Sequence, residues 1–304
     1  MQFIAMLAVL GLLYCWEAYP LLHNDSWFKQ WRGFCFSRLE QPLLAFAVSI
    51  FVPVAGLALV LLFLGHGHYI WGLPEFLLCV LVLAYCLGRG DFDTILRDYN
   101  AAWARGDVDQ LPEIIQRLDA DYSAEGASVN QIHAAGCERL LYVSFTRMFA
   151  VLFWFALGGP ALALFYLLLN LSLQYERAHL AQSGSDSSFD LVNLLTKLRD
   201  IMEWPAARLF SLTFLLAGDF SRALNSWLLT VMDAKLTNSQ VIYRNALAAL
   251  HLDSMDVPAG ATAVSPTLTD LVSVAAAETH AMQQLVSRCL MFAIAGVALF
   301  ELMM

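Results

Sequence analysis

The sequence predicts an all-α, polytopic membrane protein with about five to six membrane helices, two of them forming a short hairpin, and amphipathic cytoplasmic helices between them. Three observations predict it. The 304 residues are 59% hydrophobic and only 14% charged, with a mean hydropathy of +0.61, outside the balance of a soluble domain. Apolar runs of roughly 17–25 residues, the length a bilayer demands, recur along the chain. The stretches between them place apolar residues at helical spacing and show no strand-like alternation.

The candidate membrane runs lie near 2–21, 42–65, 74–88, 143–157, 160–175 and 285–304. The first lacks the basic start and small-residue cleavage site of a signal peptide, so it is expected to stay as a membrane helix. The second contains Pro53, whose kink is tolerable where neighbouring helices satisfy the freed carbonyls. The third, fourth and fifth are short for a full span. Gly158-Gly159-Pro160 ends one helix and opens the next, which predicts a tight hairpin between the fourth and fifth runs.

Six crossings put 22–41, 89–142 and 176–284 on one side and leave only GHGHYIWGLP and the Gly-Gly-Pro turn on the other. All 17 Lys and Arg fall on the first side or at membrane ends facing it, which marks that side as cytoplasmic and both termini as periplasmic. The expected organisation is 1–88 for the N-terminal membrane helices, 89–142 cytoplasmic helices, 143–177 the hairpin, 178–284 cytoplasmic or interfacial helices, and 285–304 the last membrane helix. Segments 91–105, 108–118, 189–202, 219–235, 238–250 and 267–284 carry the amphipathic pattern, with SGSDSS (183–188) and DVPAGATAVSPT (256–267) as joints. Gly-Asp-Phe occurs at 90–92 and 218–220, read in both places as a glycine helix stop followed by an aspartate cap.

A net charge of −9, without clustered Lys and Arg, excludes a nucleic-acid partner. The six cysteines show no C-x-x-C pair and read as small apolar packers. No phosphate-binding loop, nucleophile elbow or H-E-x-x-H is present. His66 and His68 lack a third nearby ligand, and the acidic series Asp107, Asp109, Glu113, Asp119, Asp121 and Glu125 reads as a solvated helix face, so no metal is expected.

The charges inside apolar runs are the candidate site. Arg147 stands in SFTRMFAVLFWFALGG (144–159), where a guanidinium facing lipid costs about 2.5 kcal/mol or more. It lies about 11 residues before the hairpin turn and Asn170 about 11 after it, which places both roughly 17 Å from the turn. Ser144, Thr146, Ser172 and Gln174 extend the polar zone. One reading pairs Arg147 with Asn170 in a water-accessible pocket; the other lets Arg147 snorkel to the interface. In RDIMEWPAARLFSLTFLLAG (199–218), Pro205 suits a first helical turn, leaving an apolar helix of about 12 residues, roughly 18 Å, with Asp200, Glu203 and Arg208 near its start. Arg208 is there either an anion contact at a helix N-terminus or part of an interfacial anchor with Trp204 at headgroup level.

LFWFALGGPALALFYLLLNL (152–171), LRDIMEWPAARLFSLTFLLAGDFSRAL (198–224) and YCLGRGDFDTILRDYNAAW (85–103) resemble the AmpE family, inner-membrane regulators tied to β-lactamase induction in Gram-negative bacteria. The first two blocks are also similar to the CobD/CbiB synthases, which join aminopropanol to a corrinoid carboxylate using ATP. Asn170, Asp200, Trp204 and Arg208 match positions retained in those enzymes, with the proline shifted one place toward Trp204. Their acidic ENTVDG-like segment is replaced by YVSFTR (142–147), and Asn170 is followed by LSLQ without an acid. The resemblance therefore implies a regulatory protein of the bacterial inner membrane, with a cytoplasm-facing pocket formed by Arg147, Asn170, Asp200, Glu203, Trp204 and Arg208. The implied partners are the bilayer and an anionic small molecule, such as a muropeptide whose carboxylates Arg can pair with, or a protein of cell-wall recycling. No cofactor is expected. The alternative is an ATP- and Mg²⁺-dependent amide-forming synthase with an altered substrate.

Overall fold

The computed structural model describes residues 2–15, 24–66, 72–89, 91–119, 122–183, 186–233, 235–252 and 268–303, and all the regular structure among them is helical. The helices are α1 (Gln2–Cys15), α2 (Ser26–Arg38), α3 (Pro42–His66), α4 (Leu73–Cys86), α5 (Phe92–Arg105), α6 (Leu111–Gln116), α7 (Val129–Ser144), α8 (Ala150–Ser183), α9 (Asp186–Ala217), α10 (Phe220–Thr230), α11 (Asn238–Leu250) and α12 (Leu268–Met303). A 3-10 turn, Val108–Gln110, leads into α6, and a π-helical turn, Phe145–Phe149, joins α7 to α8. Among the described residues two helical runs are long and apolar enough to cross a membrane, Pro42–Leu64 and Val129–Leu180, with Leu73–Cys86 a shorter apolar helix. Residues 16–21 of the first expected run, His68, Asp121 and the joint at 256–267 lie outside the described residues.

The chain divides into two compact units. The first comprises residues 1–89, 150–203 and 301–304. Within it α3 keeps Pro53 inside the helix and turns Phe51, Leu59, Leu62 and Phe63 outward. Only 11% of its apolar window is buried, so most of its hydrophobic surface is not used for packing. Two long-range ion pairs tie this unit together. Arg32 bridges Glu176 and sits 4.4 Å over the Phe36 ring; Arg89 bridges Asp25, which also accepts from the Tyr85 hydroxyl at 2.8 Å. Inside α8, Gly158 and Gly159 leave helical geometry and Pro160 opens the next segment, at the place of the expected turn. Gly159 has φ +68°, a conformation glycine adopts without penalty.

The second unit comprises residues 90–149 and 204–300. Its core forms because α5, α6 and α7 repeat apolar residues at 3–4 spacing: Ile95, Tyr99, Ala102 and Trp103 pack with Leu111, Ile114, Ile115, Ile132 and Leu140. Each large side chain buried here stabilises by about 1.5–3 kcal/mol. α7 starts in a capping box of Ser128 and Gln131, and α11 in one of Thr237 and Gln240. A second aromatic line runs Phe145–Phe210 (5.5 Å), Phe149–Phe210 (4.8 Å) and Phe210–Phe214 (4.9 Å).

The helices are longer than the sequence pattern suggests. The expected boundary between 142 and 143 falls within the continuous run from α7 through the π turn into α8, and the one between 284 and 285 falls within α12. Pro205 does not open a helix: α9 runs unbroken from Asp186 to Ala217 with the proline inside. An interior proline costs about 3 kcal/mol. Ala206, Ala207, Phe210 and Phe214 just beyond it are fully buried, and two such phenylalanines at about 1.5–3 kcal/mol each offset that cost. Arg208 therefore lies in the middle of a helix, without the helix N-terminus on which its expected anion contact depended. The second Gly-Asp-Phe behaves as expected, since Gly218 closes α9 and the Asp219 carboxylate accepts from the Arg222 amide at 3.0 Å. At the first, Asp91 holds the N-cap position without a side-chain cap bond.

Candidate functional site

The six side chains singled out from the sequence fall into three groupings, each built by its own neighbours. In the first unit the centre is Tyr166, a fully buried residue that sequence reasoning passed over. Its hydroxyl donates to Glu203 at 3.0 Å, and its backbone carbonyl accepts from the Asn170 amide, one helical turn later, at 3.0 Å. Glu203 is 0% exposed, and Arg199, four residues before it on α9, lies 3.8 Å away and also bridges the exposed Asp200 at 3.2 Å. Tyr166 thus ties Asn170 to Glu203, and Arg199 ties Glu203 to Asp200. The four-residue spacings 166/170 and 199/203 were the available signal.

In the second unit Arg208 is a buried clasp. Its Nε donates to the Val231 carbonyl at 3.4 Å, its Nη1 donates to the Asn238 side chain, and its guanidinium lies 4.9 Å from the centre of the Trp204 ring. Trp227 returns a hydrogen bond to the Arg208 carbonyl at 3.1 Å. The expected neighbour Trp204 is therefore at hand, and two of the five donors of Arg208 tie it to the end of α10 and the start of α11.

Arg147 sits within the π turn, where a widened helical repeat re-aims side chains and often marks function. Its guanidinium stacks 5.0 Å from the Phe92 ring centre, and the Asp93 and Asp91 carboxylates at the start of α5 act on it electrostatically. Asn170 belongs to the first unit and Arg147 to the second, and within the second unit Arg147 has an aromatic face and the field of two carboxylates. Phe92 also lines an apolar crevice between α5, α7 and α12, with Leu96, Leu141, Ser144, Met282 and Gln283. The buried Gln283 Nε2 has no hydrogen-bond partner among the described residues. The crevice has room for about one water molecule, and its link to Arg147 is the Phe92 ring, which lines it on one side and carries the guanidinium on the other.

Behind that crevice lies a cluster the sequence did not reveal. The Tyr99 hydroxyl meets His133 Nδ1 at 3.0 Å, His133 Nε2 meets Glu278 at 3.0 Å, and Trp103 presents its edge to the imidazole at 5.1 Å. A carboxylate only accepts, so Nε2 carries the hydrogen and Nδ1 accepts from the phenol. The Cys137 thiol lies 3.5 Å from the same Nε2, a position already committed to Glu278, so the imidazole is not placed to take its proton. Burial holds the Tyr99 phenol protonated, well above its ordinary range. The cluster is a polar strap across α5, α7 and α12. A Cβ at Gly136 would come within 2.5 Å of the Tyr99 hydroxyl, so only glycine leaves room for it. Among the described residues no group of three or more His, Cys, Asp or Glu converges as a metal site.

Fold and site together define a helical protein whose described residues include two runs of membrane-crossing length and apolarity, with side-chain polar clusters between its helices. The chain belongs to the AmpE family: the family described as regulatory signalling modulator protein AmpE matches residues 4–285. It is 24% identical over 253 residues to Protein AmpE of Shigella flexneri, covering 76% of this chain and 82% of that protein. No solved structure matches it.

Proposed function

We propose that this chain is a multi-pass inner-membrane regulator that links the state of cell-wall recycling to β-lactamase induction, without catalysing a reaction itself. Both termini lie in the periplasm, and recognition occurs on the cytoplasmic side. The ligand is an anionic small molecule bearing carboxylates, of the muropeptide class, or a partner protein that presents the same chemistry. Family membership supports the regulatory role. The observation that carries the site is Arg147 on its π turn, stacked on the Phe92 ring that lines the crevice, with the Gln283 amide as a second donor. Asp91 and Asp93 are exposed and act on the guanidinium through the field alone, so a ligand carboxylate can pair with Arg147 while they stay solvated. Asn170, Asp200, Glu203, Trp204 and Arg208 support the fold around recognition rather than touching the ligand first.

The test uses Arg147→Gln in the full-length protein. The expected result is loss of β-lactamase induction and of binding to a muropeptide with free carboxylates, with thermal stability nearly unchanged. Binding and induction equal to the parent protein would overturn the proposal. Reporter fusions at each terminus check the topology, and a cytoplasmic signal from either end contradicts it.

A further inference from the structure

We propose that Glu278 on α12 is a positioning residue for the Arg147 site: through His133 and Tyr99 it holds the Phe92 ring in register under the guanidinium. This rests on the reading of Arg147 as the recognition cation and names what sets the geometry of that site. Glu278 itself stays with the imidazole and does not touch the ligand.

Three helices of the second unit meet along one interface. On α5, Phe92, Leu96 and Tyr99 follow one another at helical spacing. On α7 so do His133, Cys137, Leu140 and Ser144, the last leading into the π turn that carries Arg147. The Tyr99–His133–Glu278 strap closes one end of this interface, and the Phe92–Arg147 stack lies at the other. Between them lies the crevice, lined by Leu96 and Phe92 from α5, Leu140 from α7 and Met282 from α12. A gap forfeits dispersion contacts on one side of each wall, so packing alone leaves the register of α5 on α7 loose there. The stack tolerates little looseness: the guanidinium is already 5.0 Å from the ring centre, and cation–π attraction needs about 6 Å or less. The directional bonds of the strap supply the register that packing does not.

Those bonds hold in one tautomer. A neutral imidazole has one N–H and one lone pair. Glu278 accepts at 3.0 Å, which fixes the hydrogen on Nε2 and leaves the Nδ1 lone pair for the Tyr99 hydroxyl, also at 3.0 Å. Without the carboxylate the hydrogen is free to move to Nδ1. The phenol then loses its acceptor and turns to the His133 carbonyl, 3.5 Å away, a weaker bond. The Cys137 thiol near Nε2 is too poor an acceptor to take the place of the carboxylate. Tyr99 and His133 are buried, so water does not compete for either bond. A carboxylate on α12 thereby decides how firmly α5 is tied to α7.

The experiment uses the full-length protein in lipid nanodiscs with two readouts: nitrogen NMR of ¹⁵N-labelled histidine, and affinity for a muropeptide with free carboxylates. His133→Gln identifies the His133 signals among the seven histidines. The parent should carry the hydrogen on Nε2 with Nδ1 bare; the opposite tautomer overturns the inference. Glu278→Leu should show both tautomers and bind about tenfold more weakly. Glu278→Gln, whose amide oxygen still accepts from Nε2, should keep the parent tautomer and bind within about threefold of the parent. An affinity for Glu278→Gln as low as that of Glu278→Leu overturns the tautomer account. Tyr99→Phe keeps the buried ring, should bind about as weakly as Glu278→Leu, and carries the test alone if the leucine variant does not fold. In the Tyr99→Phe background Glu278→Leu should add almost nothing, because both remove the same link; full additivity of the two losses overturns the relay. Parent affinity in Tyr99→Phe and Glu278→Leu, with Arg147→Gln unable to bind, overturns this inference alone. Parent affinity in Arg147→Gln removes the site reading and this inference with it.

Discussion

Arg147 and Arg208 are the same residue type, both stand in apolar sequence, and both belong to the second unit, yet their surroundings ask different things of them. Arg208 is fixed by a backbone carbonyl, an asparagine and an indole, and its own carbonyl is held by Trp227. Nothing in that arrangement can change without loosening α9 from α10. Arg147 stacks on a ring face in the electrostatic field of two exposed carboxylates, a setting that a ligand carboxylate can share. An arginine in an apolar run announces that it needs partners; the kind of partner decides whether it serves stability or recognition.

The largest expected effect tests the stability side. Arg208→Ala leaves the Val231 carbonyl and Asn238 without their charged donor and should cost about 3 kcal/mol, read as a lowered melting temperature in detergent. If Arg147→Ala destabilises equally, the contrast between the two arginines fails. Gly136→Ala comes next. The new methyl drives the Tyr99 hydroxyl off His133 and spreads α5 from α7, at about 2 kcal/mol. Because Phe92 and Arg147 lie on those same two helical runs, this variant should weaken muropeptide binding as well as stability, whereas Arg208→Ala should leave binding affinity of the folded fraction intact.

A smaller change sharpens the recognition side. Phe92→Leu removes the ring under Arg147 while keeping an apolar lining, and should cost about 1 kcal/mol in stability with a clear loss of induction. The smallest effect lies at the α9–α10 junction on the Arg208 side. Hydrogen bonds from the Arg222 amide and the Ser221 hydroxyl, with His251 nearby, hold the Asp219 carboxyl down from its ordinary 3.8 to about 2. A depressed carboxyl stabilises the fold above its unfolded value and loses that contribution as pH falls from about 4 toward 2. Asp219→Asn keeps the cap but should flatten this part of the melting-temperature profile; a profile that still falls as steeply would assign the acid sensitivity elsewhere.

Much of the architecture was legible because burial writes periodicity into sequence. The spacing of Ile95, Tyr99, Ala102 and Trp103 announces α5, the Gly-Asp-Phe at 218–220 announces the α9–α10 junction, and Gly158-Gly159-Pro160 announces the break in α8. Helix ends without such signals were misjudged. Pro205 is a reliable stop only where nothing compensates, and the packing of Phe210 and Phe214 is invisible until the helices meet. The site was legible residue by residue but not as a whole. Arg147 was identified from its cost in an apolar run, yet its partners Phe92, Asp91 and Asp93 lie more than fifty positions upstream. The Tyr99–His133–Glu278 strap spans three helices and leaves no local motif, and Tyr166 looked like one more aromatic in an apolar stretch.

The turn at Phe145–Phe149 has a bearing on how this chain can diverge. A π-helical loop amounts to one surplus residue in an otherwise regular rod. Excising it would restore the ordinary winding and, because the wider turn absorbs the surplus residue locally, leave the rod downstream facing much as before. The greasy flank from Ala150 onward would keep its face, while the cation inside the turn would be aimed elsewhere. Loss of one residue at that spot should accordingly leave the packing of α8 intact and show itself in recognition through Arg147.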